Sequence, residues 1–209
     1  MVVRRDVAGR RRLSAVQRRE LVLKAAARMF AEHGYEGASV QQIAAQAGVV
    51  ASVVYDHFGA KRELYLELLR QHGQALLDRS VRPDPNASPA DLLRHNVDAF
   101  YRFVEADPFL WRVVFRDPPA DPEIAAAHRE VHGAAGEAIA ALIASVRPDA
   151  PLVDGVHRDH AAAMLAEGVK AVNNGLAAWW FEHRDVPREH VVAVAETLLW
   201  SGLRRVADS

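Results

Sequence analysis

Residues 22–64 read VLKAAARMFAEHGYEGASVQQIAAQAGVVASVVYDHFGAKREL. Apolar residues recur at i, i+3, i+4, i+7 and i+8 from Val22 onwards, and Gly34 follows as a stop signal. This pattern predicts a first helix from about Ser14 to His33. Nothing in the stretch alternates with the period of two that is typical of a strand.

Two short helices follow within the same stretch. Ser39 and Gln42 have the spacing of a capping box, in which each side chain satisfies a free backbone N–H group of the other residue. The helix that they begin ends at Gly48, and a third amphipathic piece runs from Ala51 to Phe58. Two short helices that meet at a glycine turn are typical of a helix-turn-helix.

The order of these residues resembles the DNA-binding region of TetR-type transcriptional regulators. The matching positions are Ala25, Ala26, Phe30, Gly34, Tyr35, Ser39, Ile43, Ala44, Ala47, Gly48, Val49, Tyr55, His57, Phe58 and Lys61. More than a dozen positions in fixed register over about forty residues make an ordinary helical hairpin a poor explanation. The resemblance implies a repressor that binds DNA through its third helix.

The resemblance also implies which residues contact DNA. With Val54 and Phe58 on the core side of the third helix, the outer side faces the major groove. The predicted DNA-binding residues are Ser39, Gln41, Ala51, Ser52, Val53, Tyr55, His57 and Lys61. By the family pattern, Tyr55, His57 and Lys61 contact phosphates; the alternatives are a core aromatic for Tyr55 and a plain surface histidine for His57.

The base-reading positions depart from the family pattern. The family often has Ser or Thr where Val50 stands, and polar residues often follow it, whereas this chain continues with Ala51, Ser52 and Val53. Apolar side chains suit thymine methyl groups, while the Ser52 hydroxyl can hydrogen bond to either kind of base pair. Gln41 is expected to read adenine or to hold a phosphate.

Charge is divided unequally along the chain. Residues 1–62 contain 11 Lys and Arg against 5 Asp and Glu, whereas residues 63–209 contain 15 against 22. Either the basic part is a solvated surface with a tail, or it binds a polyanion. Five arginines of the basic arm, residues 1–13, are a solvated tail or enter a minor groove: Arg4, Arg5, Arg10, Arg11 and Arg12.

The whole chain is predicted to be all-α. Helical periodicity continues after residue 62, with breaks at the prolines near residue 85 and in the segment 147–155. We therefore expect a flexible basic arm (1–13), a three-helix helix-turn-helix DNA-binding domain (14–62), and an all-helical domain for effector binding and dimerisation (63–209).

Aromatic side chains gather on the middle helices of this second part. They are either ordinary core or the walls of a mostly apolar pocket, and Asn173 and Asn174 favour a pocket because asparagine is a poor residue in the middle of a helix. The predicted ligand-binding residues are His95, Phe100, Phe103, Trp111, Phe115, Met164 and Asn173. The expected effector is small, largely apolar, and uncharged or weakly charged, because the second part carries a net charge of -7.

The last two helices carry long apolar stripes, which predict a homodimer on a palindromic operator if they do not belong to the core of one chain. The stripes are Val169, Val172, Leu176 and Trp180, then Val191, Val194, Leu198, Trp200 and Leu203.

Other chemistries find little support. The chain has no Cys, and the sequence lacks the motifs GxSxG, GxxxxGK[ST] and HExxH, so we expect no catalytic residues and no cofactor. The pairs His128/His132 and His157/His160 lack an evident third ligand, so no metal is expected. No membrane-spanning stretch or secretory signal is seen, which favours a cytoplasmic protein. The rivals to a regulator are a helical ligand-binding protein or enzyme, and an adaptor that does not bind DNA.

Overall fold

A computed structural model describes residues 14–80, 86–115, 118–146 and 151–208, and within these ranges it contains helices and no strands. The all-α prediction is confirmed. The helices are α1 (Ala15–Gly37), α2 (Val40–Ala47), α3 (Ala51–Phe58), α4 (Lys61–Ser80), α5 (Pro89–Ala106), α6 (Pro108–Phe115), α7 (Pro122–Val146), α8 (Arg158–Glu182) and α9 (Arg188–Asp208).

Helices α1, α2 and α3, together with Lys61 and Arg62 at the start of α4, are here called the head, and local signals in the sequence delimit its helices. The Ser39 hydroxyl accepts a hydrogen bond from the Gln42 backbone N–H, and the Gln42 side-chain oxygen accepts one from the Ser39 N–H at 2.9 Å. This is the predicted capping box. Gly48 ends α2 at φ 69°, a left-handed conformation that glycine adopts without a steric penalty.

The rest of α4 and helices α5 to α9, here called the body, continue the hydrophobic core of the head without a break. One cluster of buried side chains extends from Val22 and Ile43 in the head to Trp180 and Leu199 in the body. Helix α1 packs against α6, while α4 packs against α5 and α7. A Cβ atom at Gly73 of α4 would lie 2.7 Å from a Val131 methyl group, so glycine permits the close approach of α4 to α7.

Specific side-chain contacts also join the head to the body. The Arg28 guanidinium of α1 lies over the Phe109 ring of α6, 5.4 Å from its centroid. Arg62 pairs with Glu123 at the start of α7, with 3.3 Å between Nε and Oε2. The first turn of α7 is thereby tied to the residues that follow the helix-turn-helix.

The remainder of the body is built on two long helix pairs. Helix α7 packs against α8, and α5 packs against α9, which also contacts α8. A second small cluster, around Ile143 and Leu152, closes the end of α7 and α8 that is remote from the head. None of the helices within the described ranges combines the length and the apolar character that crossing a membrane requires.

Helix boundaries differ from the predicted ones by a few residues. Helix α1 reaches Gly37 rather than the predicted His33, although Gly34 is not helical. Residues 81–85, at the predicted proline break, and residues 147–150 of the predicted loop lie outside the described residues.

Candidate nucleic-acid interface and ligand core

Helix α3 turns one side to the core and the other to solvent. Val54 and Phe58 are buried, as predicted. Ser52, Tyr55 and Asp56 share the exposed side, and Tyr55 keeps 46% of its surface exposed, so it is not a core aromatic. Sequence reasoning passed over Asp56, whose carboxylate would accept a hydrogen bond from a cytosine amino group but repel a phosphate. Its i, i+4 spacing from Ser52 was the available signal.

The start of α3 lacks the serine cap that begins three other helices of the chain. Ser14, Ser39 and Ser88 begin α1, α2 and α5, each with a side-chain hydrogen bond to the first turn. Val50 occupies the same position in α3, makes no such bond and is 67% exposed. An apolar residue here costs about 0.5 to 2 kcal/mol of helix stability relative to serine.

The remaining candidates of the helix-turn-helix lie at the margin of the exposed side. Ala51, Val53 and His57 are half-buried, and Ala51 packs against the core. Gln41 is exposed on α2. Gln41, Ser52 and Tyr55 are therefore exposed, whereas Val53 exposes only part of its side chain.

Lys61 is held by the end of α1. Its ammonium group donates hydrogen bonds to the carbonyl oxygens of Tyr35 at 2.9 Å and Ala38 at 3.1 Å, and it lies 4.3 Å from the centroid of the Tyr35 ring. These contacts satisfy carbonyl groups that the end of a helix leaves free. An ammonium has three N–H donors, so one remains for a phosphate.

Ser39 is similarly engaged. Its hydroxyl accepts from the Gln42 backbone N–H at 3.2 Å and donates to the Gln42 side-chain oxygen at 2.8 Å. The capping role therefore occupies the hydroxyl that was predicted to contact DNA.

The basic character of the head is partly neutralised by acidic residues of the head and of the body. Arg19 of α1 pairs with Glu67 of α4, and Arg28 pairs with Glu32 at 2.9 Å. The predicted arm arginines, which precede α1, lie outside the described residues.

Aromatic rings of α5 and α6 form a continuous set within the body, here called the ligand core. The Phe115 ring centroid lies 6.3 Å from that of Phe100, 6.1 Å from that of Trp111 and 5.2 Å from that of His132. Phe103 is buried in the same hydrophobic cluster. The ligand core consists of Phe100, Tyr101, Phe103, Trp111, Phe115, His128, His132, Asn173 and Asn174.

The two asparagines of α8 meet this aromatic set. Asn174 accepts a hydrogen bond from the Trp111 indole N–H at 3.4 Å, and the Asn173 carbonyl accepts one from the Tyr101 hydroxyl at 3.3 Å. Burial raises the pKa of Tyr101, so its hydroxyl remains a donor. The Asn173 side chain is 8% exposed, and its Oδ1 finds no hydrogen-bond donor among the described residues.

Two of the predicted ligand-binding residues lie elsewhere. His95 is exposed on α5, and Met164 keeps 59% of its surface exposed on the outer side of α8. Both predictions of a pocket position are therefore corrected. Helical spacing gave the right helices, but it did not show which side of each helix the body covers.

Sequence reasoning missed His128 as a member of the ligand core. It lies four residues after buried Ile124 on α7 and is 2% exposed, with Nε2 3.1 Å from the Tyr65 hydroxyl. Burial lowers its pKa to about 4; His132 acts in the same direction, and the Val114 carbonyl opposes the shift. A histidine on an otherwise apolar stripe was the signal.

The histidine pairs remain without a third ligand. His128 and His132 stack with ring centroids 6.2 Å apart, and His157 and His160 lie 5.6 Å apart. Within the part of the chain that the structure describes, no three His, Cys, Asp or Glu residues are grouped so as to hold a metal ion.

The outer side of α8 and α9 exposes apolar and small residues, but they are largely not the predicted stripe. Trp180 and Val191 are buried in the chain's own core, which Val169, Val172, Leu176 and Leu203 pack against. The exposed side instead carries Met164, Gly168, Ala171, Gly175, Ala178, Trp179, Val194, Leu198 and Gly202. Val194 and Leu198 are thus the members of the predicted stripe whose exposure suits a partner chain.

Some known proteins are similar to the N-terminal part of this chain alone, and at least one is similar over nearly its whole length. Residues 22–68 match the family model described as bacterial regulatory proteins, tetR family. The HTH-type transcriptional activator FasR of Mycolicibacterium smegmatis is 32% identical over 93% of this chain and 87% of its own length. The repressor AcnR of Corynebacterium efficiens is 43% identical, but over only 27% of this chain and 30% of its own.

A solved structure shows the same arrangement of helices. The crystal structure of a TetR-like transcriptional regulator from Rhodococcus sp. RHA1 superposes with a TM-score of 0.73, covering 92% of this chain and 99% of that one at 22% identity.

Proposed function

The chain belongs to the tetR family of bacterial regulatory proteins and is a DNA-binding transcriptional regulator, and from that premise we propose that α2 and α3 bind the operator. The observation that carries the proposal is the division of α3, whose core side is fixed by Val54 and Phe58 while Ser52 and Tyr55 stay exposed. A short helix held in this way presents a rigid surface to the major groove.

Phosphate contacts position the head on the duplex. In this proposal the Tyr55 hydroxyl and the His57 imidazole contact the phosphates on either side of the groove, and Lys61 adds the one N–H that α1 does not use. Gln41 contacts a phosphate or an adenine at the neighbouring position. Ser39 contributes through its backbone position, because its hydroxyl is occupied by Gln42.

In the same proposal, the first turn of α3 contacts the base edges and so determines the sequence preference. Ala51, Ser52 and Val53 present one hydroxyl and several methyl groups, a set that favours thymine methyl contacts over bidentate guanine recognition. The arm at residues 1–13 adds minor-groove contacts through its arginines, since the negative potential of a narrow groove attracts arginine.

A homodimer supplies the second head. The exposed apolar side of α8 and α9, with Met164, Trp179, Val194 and Leu198 at its centre, is the surface through which two copies pair. The exposed glycines allow close approach of two helix pairs, and twofold pairing matches a palindromic operator. Native mass spectrometry that shows a monomer at micromolar concentration would contradict this pairing.

The ligand core is the proposed effector site. Its walls are mostly aromatic, and the Asn173 Oδ1 and His128 supply polar groups of the kind that orient a small apolar ligand. A ligand that binds one arrangement of the dimer more tightly than another would shift the separation of the two heads, and operator affinity would fall by that difference. The cytoplasm, where a bacterial operator is accessible, is the proposed location.

Repression is the proposed outcome of operator binding, and activation is the second candidate. The relative that spans most of this chain is named an activator, whereas the relative that matches only the head is named a repressor. Whether operator binding represses or activates transcription depends on where the operator lies relative to the promoter. A reporter gene that carries the selected site with its natural promoter therefore distinguishes repression from activation.

The experiment that tests the DNA-binding proposal is selection of bound duplexes from random and genomic DNA. We expect a palindromic site and an affinity that falls steeply with salt concentration. An affinity that does not respond to salt, or a pool that never converges, would contradict operator binding.

A further inference from the structure

The residue His128 is the best starting point for asking what the effector looks like. It is 2% exposed, one ring nitrogen contacts Tyr65, and Nδ1 has no hydrogen-bond partner among the described residues. The Val114 carbonyl accepts a hydrogen bond from His132 at 3.0 Å and lies close enough to His128 to oppose the lowering of its pKa, but it does not meet the geometry of a hydrogen bond with Nδ1. Burying a polar atom without a hydrogen-bond partner lowers the stability of the folded state, so its presence calls for an explanation.

Its surroundings place this atom at one end of the ligand core. The His128 ring stacks on His132, which lies edge-on to Phe115, and Phe115 leads to Phe100 and Trp111. At the other end, the Asn173 Oδ1 is the second buried atom without a partner. Two unpaired polar atoms thus border the same aromatic set.

We propose that His128 Nδ1 binds a neutral hydroxyl or amide group at the end of an otherwise apolar effector, and that Tyr65 transmits this contact to the head. The proposal rests on the proposed effector site and deepens it. A neutral group suits this site because His128 is 2% exposed among aromatic rings, and burial lowers its pKa to about 4, so the uncharged imidazole gives a buried carboxylate no counter-charge. Hydroxyl and amide groups can serve either tautomer, since each both donates and accepts.

Tyr65 is the physical link between the two sites. Its hydroxyl lies 3.1 Å from His128 Nε2 in the body, and its ring packs edge-on against Phe30 at 4.9 Å and Tyr35 at 5.3 Å in the head. Tyr35 in turn lies under the ammonium group of Lys61. The effector contact is therefore one hydrogen bond away from side chains that support the DNA-binding surface.

The tautomer of His128 gives the link two states. Neutral imidazole carries one N–H, so a ligand that donates to Nδ1 places the proton on Nε2, where it points at the Tyr65 oxygen. The Tyr65 hydroxyl then donates to another acceptor, and the Val113 carbonyl lies 3.5 Å away. A ligand that accepts from Nδ1 produces the opposite direction of donation. Whether the ligand group donates to Nδ1 or accepts from it thereby sets the direction of the hydrogen bond between His128 and Tyr65.

The test uses three probes that share one apolar chain: decan-1-ol, decanoate and decyltrimethylammonium. Decan-1-ol is expected to raise the melting temperature of the wild-type dimer by about 5 °C at saturation, to shift the nitrogen NMR signal of His128 Nδ1, and to weaken binding to the selected duplex. Equal or tighter binding of decanoate would overturn the neutral class. Failure of all three probes would overturn the site, while duplex binding by the same preparation keeps that failure separate from the DNA-binding function.

Three substitutions distinguish the contact of the ligand with His128 from the transmission of that contact to the head through Tyr65. His128→Leu removes the polar atom and should weaken decan-1-ol binding about fivefold, as expected for one lost hydrogen bond. His128→Asn keeps a polar atom near the Nδ1 position and should retain binding but lose release from the duplex. Tyr65→Phe keeps the ring packing and should behave like His128→Asn. Wild-type binding by His128→Leu would overturn the contact, and full release by Tyr65→Phe would overturn the transmission.

Discussion

The head and the body treat their polar side chains in opposite ways. In the head, Ser39 and Lys61 are committed to closing helix ends, and each forms at least two hydrogen bonds with nearby groups. In the body, His128 and Asn173 are buried, and each has an atom without a partner among the described residues. The polar groups of the head are thus satisfied by its own chain, whereas the body leaves two buried polar atoms that the proposed effector would satisfy.

The largest expected effect of this difference between head and body is a loss of stability at acidic pH, caused by the buried His128. His128 has a pKa of about 4 in the folded protein against 6.5 as the ordinary value, so the unfolded chain binds more protons between these pH values. The free energy of unfolding therefore contains a contribution that is complete above pH 6.5 and is lost as the pH falls to 4, by roughly 3 kcal/mol in all. Denaturation at a series of pH values measures it.

His128→Leu should flatten that pH dependence, while His190→Gln, at an exposed histidine of α9, should leave it unchanged. A slope retained in His128→Leu would show that another group is responsible.

Lys61→Ala should have the next largest effect on stability, because it removes the hydrogen bonds that Lys61 donates to the carbonyl oxygens of Tyr35 and Ala38. Loss of two hydrogen bonds from an ammonium group should lower the free energy of unfolding by about 2 kcal/mol. If the third N–H also contacts a phosphate, the variant binds all duplexes more weakly to the same degree, and the salt slope falls by about one unit. Urea denaturation and salt titration measure the two effects separately.

Lys24→Ala is the matched control, since Lys24 is exposed on α1. A fully stable Lys61→Ala variant with a reduced salt slope would mean that Lys61 serves DNA rather than the head.

Asn173→Leu should move stability and ligand response in opposite directions. The substitution replaces an unpaired buried oxygen by a methyl group on a side chain with the same branching and number of heavy atoms, so the ligand-free protein should gain about 1 kcal/mol of unfolding free energy. The effector concentration needed for release should rise, while affinity for the duplex in the absence of effector stays unchanged. Thermal melts and duplex titrations with decan-1-ol check both statements. A destabilised variant with normal release would place Asn173 in the ordinary core.

The smallest effect concerns Val50 at the exposed start of α3. Replacing the contacted thymine by uracil removes one methyl group, and wild-type affinity should fall by about 0.8 kcal/mol if Val50 covers that methyl. Val50→Ser restores a capping residue, so it should stabilise the head but lose the discrimination between thymine and uracil. If stability and discrimination rise together, Val50 contributes only to helix capping.

The sequence predicts the head well because its signals are local. Ser39 and Gln42 fix the start of α2, Gly48 fixes its end, and the alternation between Val54 and Tyr55 fixes the two sides of α3. Each of these features depends on residues within about four positions of one another. The long-range engagement of Lys61 with α1 lies beyond such signals, since it joins residues that are 26 and 23 positions apart.

The body is predicted less well because its contacts depend on how separate helices dock. His95 and Met164 lie on suitable helices but face solvent, and His128 is buried only because α4 packs across α7. On α8, alanine and glycine form the exposed surface, and small residues give no visible apolar stripe. Periodicity therefore identified the helices, while the choice of side required the neighbouring helix.

The uninterrupted core that joins α1 to α6 has a consequence for modular engineering. An exchange of helix-turn-helix units among regulators treats the head as an independent module. In this protein, however, Arg28 of the head lies over the Phe109 ring of α6, and Phe30 packs against Tyr65 of α4. A chimaera with a foreign head would need matching residues on α4 and α6, or it would expose apolar surface at the seam. Transplanting only the outward residues of α3 keeps that seam intact and is the more economical way to give this regulator a new operator.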